Sequence, residues 1–505
     1  MEPTDPTPTD LTPAERRVWD AFPRGERVDA RRDPDESAAD GAAWGLERTV
    51  RAEVLTALLL GGGAPGGQVA GLNLKGFRIT GKLDLKYAVV EHPIRLRGCW
   101  FERKPLLYGA RLRAFVLSDS ALPGLTAATV SVDVVLRLSC CRITGPVRLA
   151  GARIAGGLFL TGAVIGTPPG RAAPGESGGA VEEAEPALQL NHADIGTDVI
   201  APGLTVHGQT RINGAVVGGR ITLEGARLLD PGGEALHAES LTVGTDVRAR
   251  GLHARGRVNF AGSRIPGQLG LAHSSLANPG GTALRASSCA IGEIWLRGCD
   301  TVRGAVNLRR SQCDLLHVEP GGWPETVSLD GLSYRSLRPH LPAEQRLPVL
   351  EREDAGYLPY AYEQLAAAYR TAGDEAGARS VLLAKLRRHR RTLPRRARVW
   401  GLLQDVTVGY GFRPLRAAGW LVALLCTGAL AYGLRPPPPL KPGEAPEFNP
   451  VFYTLDLMLP IIGFGQEEAF GPRGGYQWLS YLLIVTGWVL ATTTAAGVSR
   501  SLSRQ

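Results

Sequence analysis

Gly61-Gly62-Gly63-Ala64-Pro65-Gly66 has the letters of a dinucleotide-binding fingerprint, and Asp84 follows where such a site places its ribose-binding acid. That chemistry needs a strand before the glycines and a helix after them, so that the helix N-terminus meets the pyrophosphate. Here the glycines follow a helical pattern and lead into a strand, and Pro65 removes a backbone donor, so the segment reads as a connector. No Gly-x-Ser-x-Gly, P-loop or His-Glu-x-x-His is present. His192, His207, His237, His253 and His273 are dispersed without ligand spacing and read as solvated outer positions. Asp194, Asp198, Asp246 and Glu293 recur near equivalent repeat positions. Recurrence is what a structural role predicts, whereas an active site should break the pattern. The seven cysteines show no Cys-x-x-Cys spacing and read as buried thiols in a reducing compartment. No catalytic, metal or cofactor-binding residue is expected, and no cofactor.

Two groups remain. Lys385, Arg387, Arg388, Arg390, Arg391, Arg395, Arg396 and Arg398 form a run without an acid and account for most of the net charge of +9. Interleaved aromatics, expected of a single-strand nucleic-acid surface, are missing until Trp400. Apolar runs begin within twenty residues, so contact with anionic lipid headgroups is expected, at about 1 kcal/mol per basic residue, and no nucleic acid. The second group is Asp456, Gly463, Gly465 and Gln466, in a short apolar stretch at 448–466. At a bilayer centre a carboxylate costs about 2.5–3.5 kcal/mol on insertion scales, so Asp456 must face water or have a job.

The elements that position these residues follow from glycine and apolar spacing. Sixty-four glycines lack a three-residue period, so they serve turns, and 6% aromatic content argues against a thick globular core. Thr12 and Pro13 predict a helix start, with Val18, Trp19 and Phe22 on one face. Arg24 to Asp40 reads as a linker by composition, and Trp44 to Leu60 as a helix suited to covering a solenoid end. From Gly71 to about Leu332 an element Gly-x-h-x-h-x-x-small, with h apolar, recurs, as in Gly145-Pro-Val147-Arg-Leu149-Ala-Gly-Ala152. Gly208, Gly256 and Gly304 are spaced by 48 residues, and a second glycine follows eleven residues after Gly208 and after Gly256. A fixed period of this size marks a solenoid or propeller, and the short x-h-x-h runs favour the solenoid.

The stretch from Val147 to Val164 resembles the pentapeptide-repeat proteins, whose quadrilateral β-helix repeats a small-x-Leu-x-x unit. The strict five-residue step is lost every ten or eleven residues, and Thr167 to Glu185 must loop out. A parallel β-helix is therefore expected, four-sided by the resemblance.

Leu415 to Leu434 and Trp478 to Val498 are long apolar runs with aromatic residues near their ends, expected to be transmembrane helices. Basic residues precede the first run, and Arg500 and Arg504 follow the second, whereas the loop between carries Arg435, Lys441 and Arg473. The positive-inside rule then places both ends in the cytoplasm, in line with an N-terminus that lacks a signal-peptide pattern. The map is: 1–40 disordered with a short helix; 41–70 capping helix and connector; 71–332 solenoid; 333–356 linker; and 357–413 helical hairpin, resembling one tetratricopeptide unit, with a basic neck. Then come 414–434 and 478–498 as membrane spans, 435–477 as an extracytoplasmic loop with an interfacial or re-entrant 448–466, and 499–505 as a tail. Fold class is mainly β.

The layout is similar to a group of actinobacterial proteins often labelled membrane-associated oxidoreductases. The likeness rests on the Trp44 to Leu60 segment, the Gly-x-h-x-h repeats, Arg387 to Arg398, Gly409 to Pro414, and Leu455 to Gln466. It implies a redox role for which no flavin, nicotinamide, haem or iron–sulfur ligand set can be assembled from the residues. The order helix, short amphipathic helix, Gly-x-Gly, helix also resembles two-helix pore-loop channels, though the threonines preceding their filter are replaced by Pro460 and Ile461. The expected function is a membrane-anchored cytoplasmic scaffold or sensor that meets a protein partner or a second copy of itself, with a solenoid-gated pore and a redox enzyme as alternatives.

Overall fold

The structure is a computed structural model. It describes residues 10–61, 69–168, 185–298, 301–394, 398, 414–441, 443, 445–459 and 463–502; the side chains of 301, 414–417 and 491–502 fall outside that description. The chain divides into two compact units, Met1–Gly373 and Asp374–Gln505.

Unit one is a parallel β-solenoid of about 11 turns. Alternation puts one residue of each short strand inward, and the coil stacks it on its counterpart one turn away. One turn runs from Ile94–Arg97 to Trp100–Phe101, then past Leu106 to Arg111–Leu112; Phe115–Ser118 then pairs in parallel with Ile94–Arg97. Four columns of short strands therefore line the interior, as the resemblance implied. Leu72 pairs with Ile94, twenty-two residues on.

The 48-residue period is two turns. Val199 pairs with Ile221 after 22 residues, and Ile221 with Val247 after 26. The extra four are Asp230-Pro-Gly-Gly233, which recurs one period later as Asn278-Pro-Gly-Gly281. One corner follows the same two-turn rhythm between residues 192 and 262. His192 and Ser240 adopt left-handed φ of 55° and 54°, and the next turn places Gly214 and Gly262 there. A Cβ on Gly214 would lie 2.6 Å from His192 Nδ1, so the ring needs a glycine beneath it. The long insertion leaves the stacking intact: Val147 pairs with Leu188 across it, and Val164 with Thr205.

Both ends are covered, but not as the sequence pattern suggested. The N-terminal helix is Pro13–Ala21, closed by a Thr12–Glu15 capping box. The 24–40 stretch is not a plain linker, because Val28–Asp29 pairs with Leu74–Lys75 and begins a column. The second helix is Ala52–Gly61, shorter than expected. Ahead of it Thr49–Arg51 pairs with Arg78–Thr80, since the β-branched Thr49 and Val50 fit a rung better than a helix. Arg48 is buried beneath, held by Glu36 and by the Gly76 carbonyl, and stacked 3.9 Å over Trp44. At the far end the solenoid runs past 332, with Ser333–Arg338 as its last strand. The 333–356 connector therefore holds that strand and a helix, Ala343–Leu350. Pro359–Thr371 packs on the strand, with Gln364 Nε2 donating to the Tyr334 carbonyl at 2.6 Å.

The expected helical break at Gly373-Asp374 is present, and in unit two Glu375–Thr392 starts with Asp374 as N-cap. Both apolar runs are helical, as Pro414–Leu434 and Gly475–Leu502. Among the described residues no helix is long and apolar enough to cross a membrane. The side chains of these two helices are described from residue 418 in the first and as far as residue 490 in the second.

Candidate functional site

Pro450–Met458 packs against both long helices, around a core of Tyr432, Tyr453, Leu457, Met458, Phe470 and Leu483. The approach is close because the crossings use glycine. A Cβ on Gly428 would lie 2.3 Å from the Thr454 side chain, and one on Gly487 would lie 2.6 Å from the Met458 carbonyl. Asn449 starts the short helix by accepting from the N–H groups of Val451 and Phe452.

That helix carries Asp456 in its last turn, 6% exposed. Its Oδ1 accepts from the Phe464 N–H, and its Oδ2 from the N–H groups of Gln466 and Glu467 at 2.7 and 3.2 Å. Gln466 locks the same loop: its Oε1 accepts from the Asn449 N–H, and its Nε2 donates to the Glu447 carbonyl. Gly465 turns the chain with φ of 76°. The structure thus gathers Asp456, Gly465 and Gln466, with Gly463 at the open side of the loop, where a Cβ would meet nothing within 4 Å. Asp456 has its job: the carboxylate collects the backbone donors of the turn that follows its helix. Pro460 and Ile461 lie outside the described residues.

Among the basic residues, Lys385, Arg387, Arg388, Arg390 and Arg391 sit on Glu375–Thr392, whose last turn places positive charge against the helix C-terminus. Arg391 is exposed, while Arg387, Arg388 and Arg390 are half-buried. Arg398 donates to the Leu393 carbonyl at 2.8 Å. Arg395, Arg396 and residues 409–413 lie outside the described residues.

Two of the four recurrent acids act as struts between turns, whereas Glu293 accepts from Trp295 Nε1, two residues on along its own strand. Asp198 Oδ1 accepts from the Arg220 N–H and Asp246 Oδ1 from the Gln268 N–H, each one turn on. His192 and His273 are exposed, as expected of solvated outer positions, whereas His207, His237 and His253 are half-buried. Burial first, and then Arg227, holds His207 and His253 below the usual imidazole range. His237 lies 3.2 Å from Glu234 and 3.5 Å from Glu239. Among the described residues no cluster of His, Cys, Asp or Glu could hold a metal ion. Cys99, Cys141 and Cys313 are buried, which pushes each thiol up to about 12 and removes the reactive thiolate; Cys140 and Cys426 are exposed. Gly61 ends a helix, residues 62–66 of the glycine run lie outside the described residues, and Asp84 pairs with Lys82 and Lys86.

Compared with protein-family models, curated proteins and solved structures, the chain finds no match. The likeness to the oxidoreductase-labelled group therefore gains no support from them.

Proposed function

We propose that the chain is a membrane-anchored scaffold or sensor: a cytoplasmic β-solenoid tethered by the two long C-terminal helices, whose elongated surface receives a protein partner or a second copy. The observation that carries the reading is the outer surface of those helices. Val422, Leu430, Leu482 and Val485 are 59, 66, 56 and 62% exposed, on the same helices whose Tyr432 and Leu483 are buried against Pro450–Met458. A helix that buries one stripe and is apolar on the other as well suits lipid rather than water. The basic residues that flank the two apolar runs of the sequence favour an orientation with both ends inside, and the basic 385–398 segment would then meet anionic headgroups. At about 4.8 Å per rung the stacked turns extend for roughly 50 Å, a length suited to a scaffold.

Cys140 provides the test, because it is exposed on the solenoid. With Cys299 and Cys426 replaced by Ser, a membrane-impermeant maleimide should leave Cys140 unmodified in intact cells and modify it once membranes are opened. Modification in intact cells overturns the sidedness. A second reading, an oligomeric pore, draws on the clamped Gly463–Gln466 loop, whose N–H groups are held by Asp456. Bilayer recording of the full chain tests it: conductance abolished in Asp456→Ala supports a pore, and no conductance in the unaltered chain removes it.

A further inference from the structure

The C-terminal end of the solenoid contains a cavity of about 430 Å³, within the range of small-ligand sites. The last strand, the turn after it, and the Pro359–Thr371 helix line it. Its polar residues include Arg335, Arg338, His340, Arg346, Tyr369 and Thr371, and no carboxylate lines it among the described residues. Arg346 is 8% exposed. Its guanidinium donates to the Pro339 carbonyl, and the Tyr369 hydroxyl donates to the Leu341 carbonyl at 2.6 Å. Pro339, Leu341 and Tyr369 all line the cavity, so the charged end of Arg346 lies at its wall. Among the described residues no carboxylate pairs with Arg346, and none of its nitrogens is both sealed and unbonded.

A buried guanidinium without a counter-charge is costly. A strut to a carbonyl oxygen would need only a neutral amide such as Gln. The positive field reaches beyond the cavity: burial first, and then Arg297, Arg346 and Arg338, hold His317 below the usual imidazole range, against the opposing pull of Glu319. His317 is the strand neighbour of Arg338. Arg335 is partly occupied by Asp314 at 3.5 Å, with both side chains exposed, so that pair is weak. We propose that this cavity binds the phosphate of a small phosphomonoester, with Arg346 and Arg338 as its principal ligands. Guanidinium groups match that anion in charge and in bidentate geometry.

Glycerol 3-phosphate titrated into the full-length chain in neutral detergent at fixed ionic strength is the probe. Saturable one-to-one binding is expected. Arg338→Gln, at an exposed position that should leave the fold intact, weakens it about tenfold, the scale of one lost charge-assisted contact; Arg346→Gln abolishes it. Gln at Arg387, Arg388, Arg390 and Arg391 together leaves it unchanged. The absence of saturable binding, an Arg338→Gln affinity within twofold of the original, or loss through the neck substitutions overturns the proposal. Vesicles of phosphatidic acid against phosphatidylcholine separate the sources. Vesicle binding sensitive to Arg338→Gln assigns a lipid phosphate, and binding of the free ester alone assigns a soluble one; either supports the site.

Discussion

Thr210 occupies a position the solenoid reserves for aliphatic residues. In its column it stacks between Leu188 and Leu236, and beyond them come Val147 and Val258. It is 4% exposed, and its hydroxyl has no partner among the described residues. Beside it lies a cavity of about 30 Å³ lined otherwise by aliphatic side chains such as Leu190, Ile212 and Leu223. One water could enter, but it would find a single polar partner where it needs two to four. The hydroxyl therefore carries most of its desolvation cost, about 1–3 kcal/mol. Thr210→Val keeps the shape and removes that cost, so about 1–2 kcal/mol of stabilisation is expected. The reciprocal change, Leu236→Thr, adds the same defect and opens further space, for about 3 kcal/mol of loss. A repeat array couples mainly to neighbouring turns, so a single melting temperature is a poor measure. Hydrogen exchange resolved by turn is the appropriate assay. In Thr210→Val, amides of residues 188–258 should exchange about tenfold more slowly, with residues 94–137 unchanged as an internal reference. Unchanged or faster exchange there would mean that the hydroxyl is satisfied and the reasoning is wrong.

Gly214→Ala meets both a φ of 63° and the His192 ring, and should cost about 2–4 kcal/mol of local protection. Gly225→Ala, at the same φ with nothing within 4 Å, should cost about 1 kcal/mol, and adding His192→Ala should recover part of the Gly214→Ala loss. Arg48→Met strands Glu36 and the Gly76 carbonyl, so limited proteolysis should enter the N-terminal cap first, after a loss of about 3 kcal/mol. Glu15 is held at about 2: burial pushes its carboxyl up, but hydrogen bonds from the Arg51 side chain and backbone and from the Thr12 N–H outweigh it. A depressed folded-state value means that the contribution is complete above the ordinary 4.5 and fades as pH falls toward 2. N-terminal protection should therefore drop by on the order of 2 kcal/mol across that window, and Glu15→Gln should flatten the drop.

The solenoid was legible because its glycine corners and alternating apolar residues lie a few positions apart. The meaning of the 48-residue period was not, because nothing in the letters says that His192 lies over Gly214 on the next turn. The stretch from Trp44 to Arg51 read as helix since Val50, Val54 and Leu55 keep helical spacing; its partner, Arg78–Thr80, is remote in sequence and decides for a strand. Asp456 stood out as a carboxylate among apolar residues, but its partners are backbone N–H groups, which no residue type reveals. Arg346 gave no signal at all. Its burial arises when the Pro339 turn and the Pro359–Thr371 helix close over it.

The tether itself is tested most directly by washing membranes that contain the full-length chain at alkaline pH, which strips peripheral proteins, and then floating them through a density gradient. A chain held by 414–434 and 478–498 stays with the lipid. If it comes free into the wash, it was adsorbed rather than inserted, and the apolar outer faces of those helices must be covered by protein.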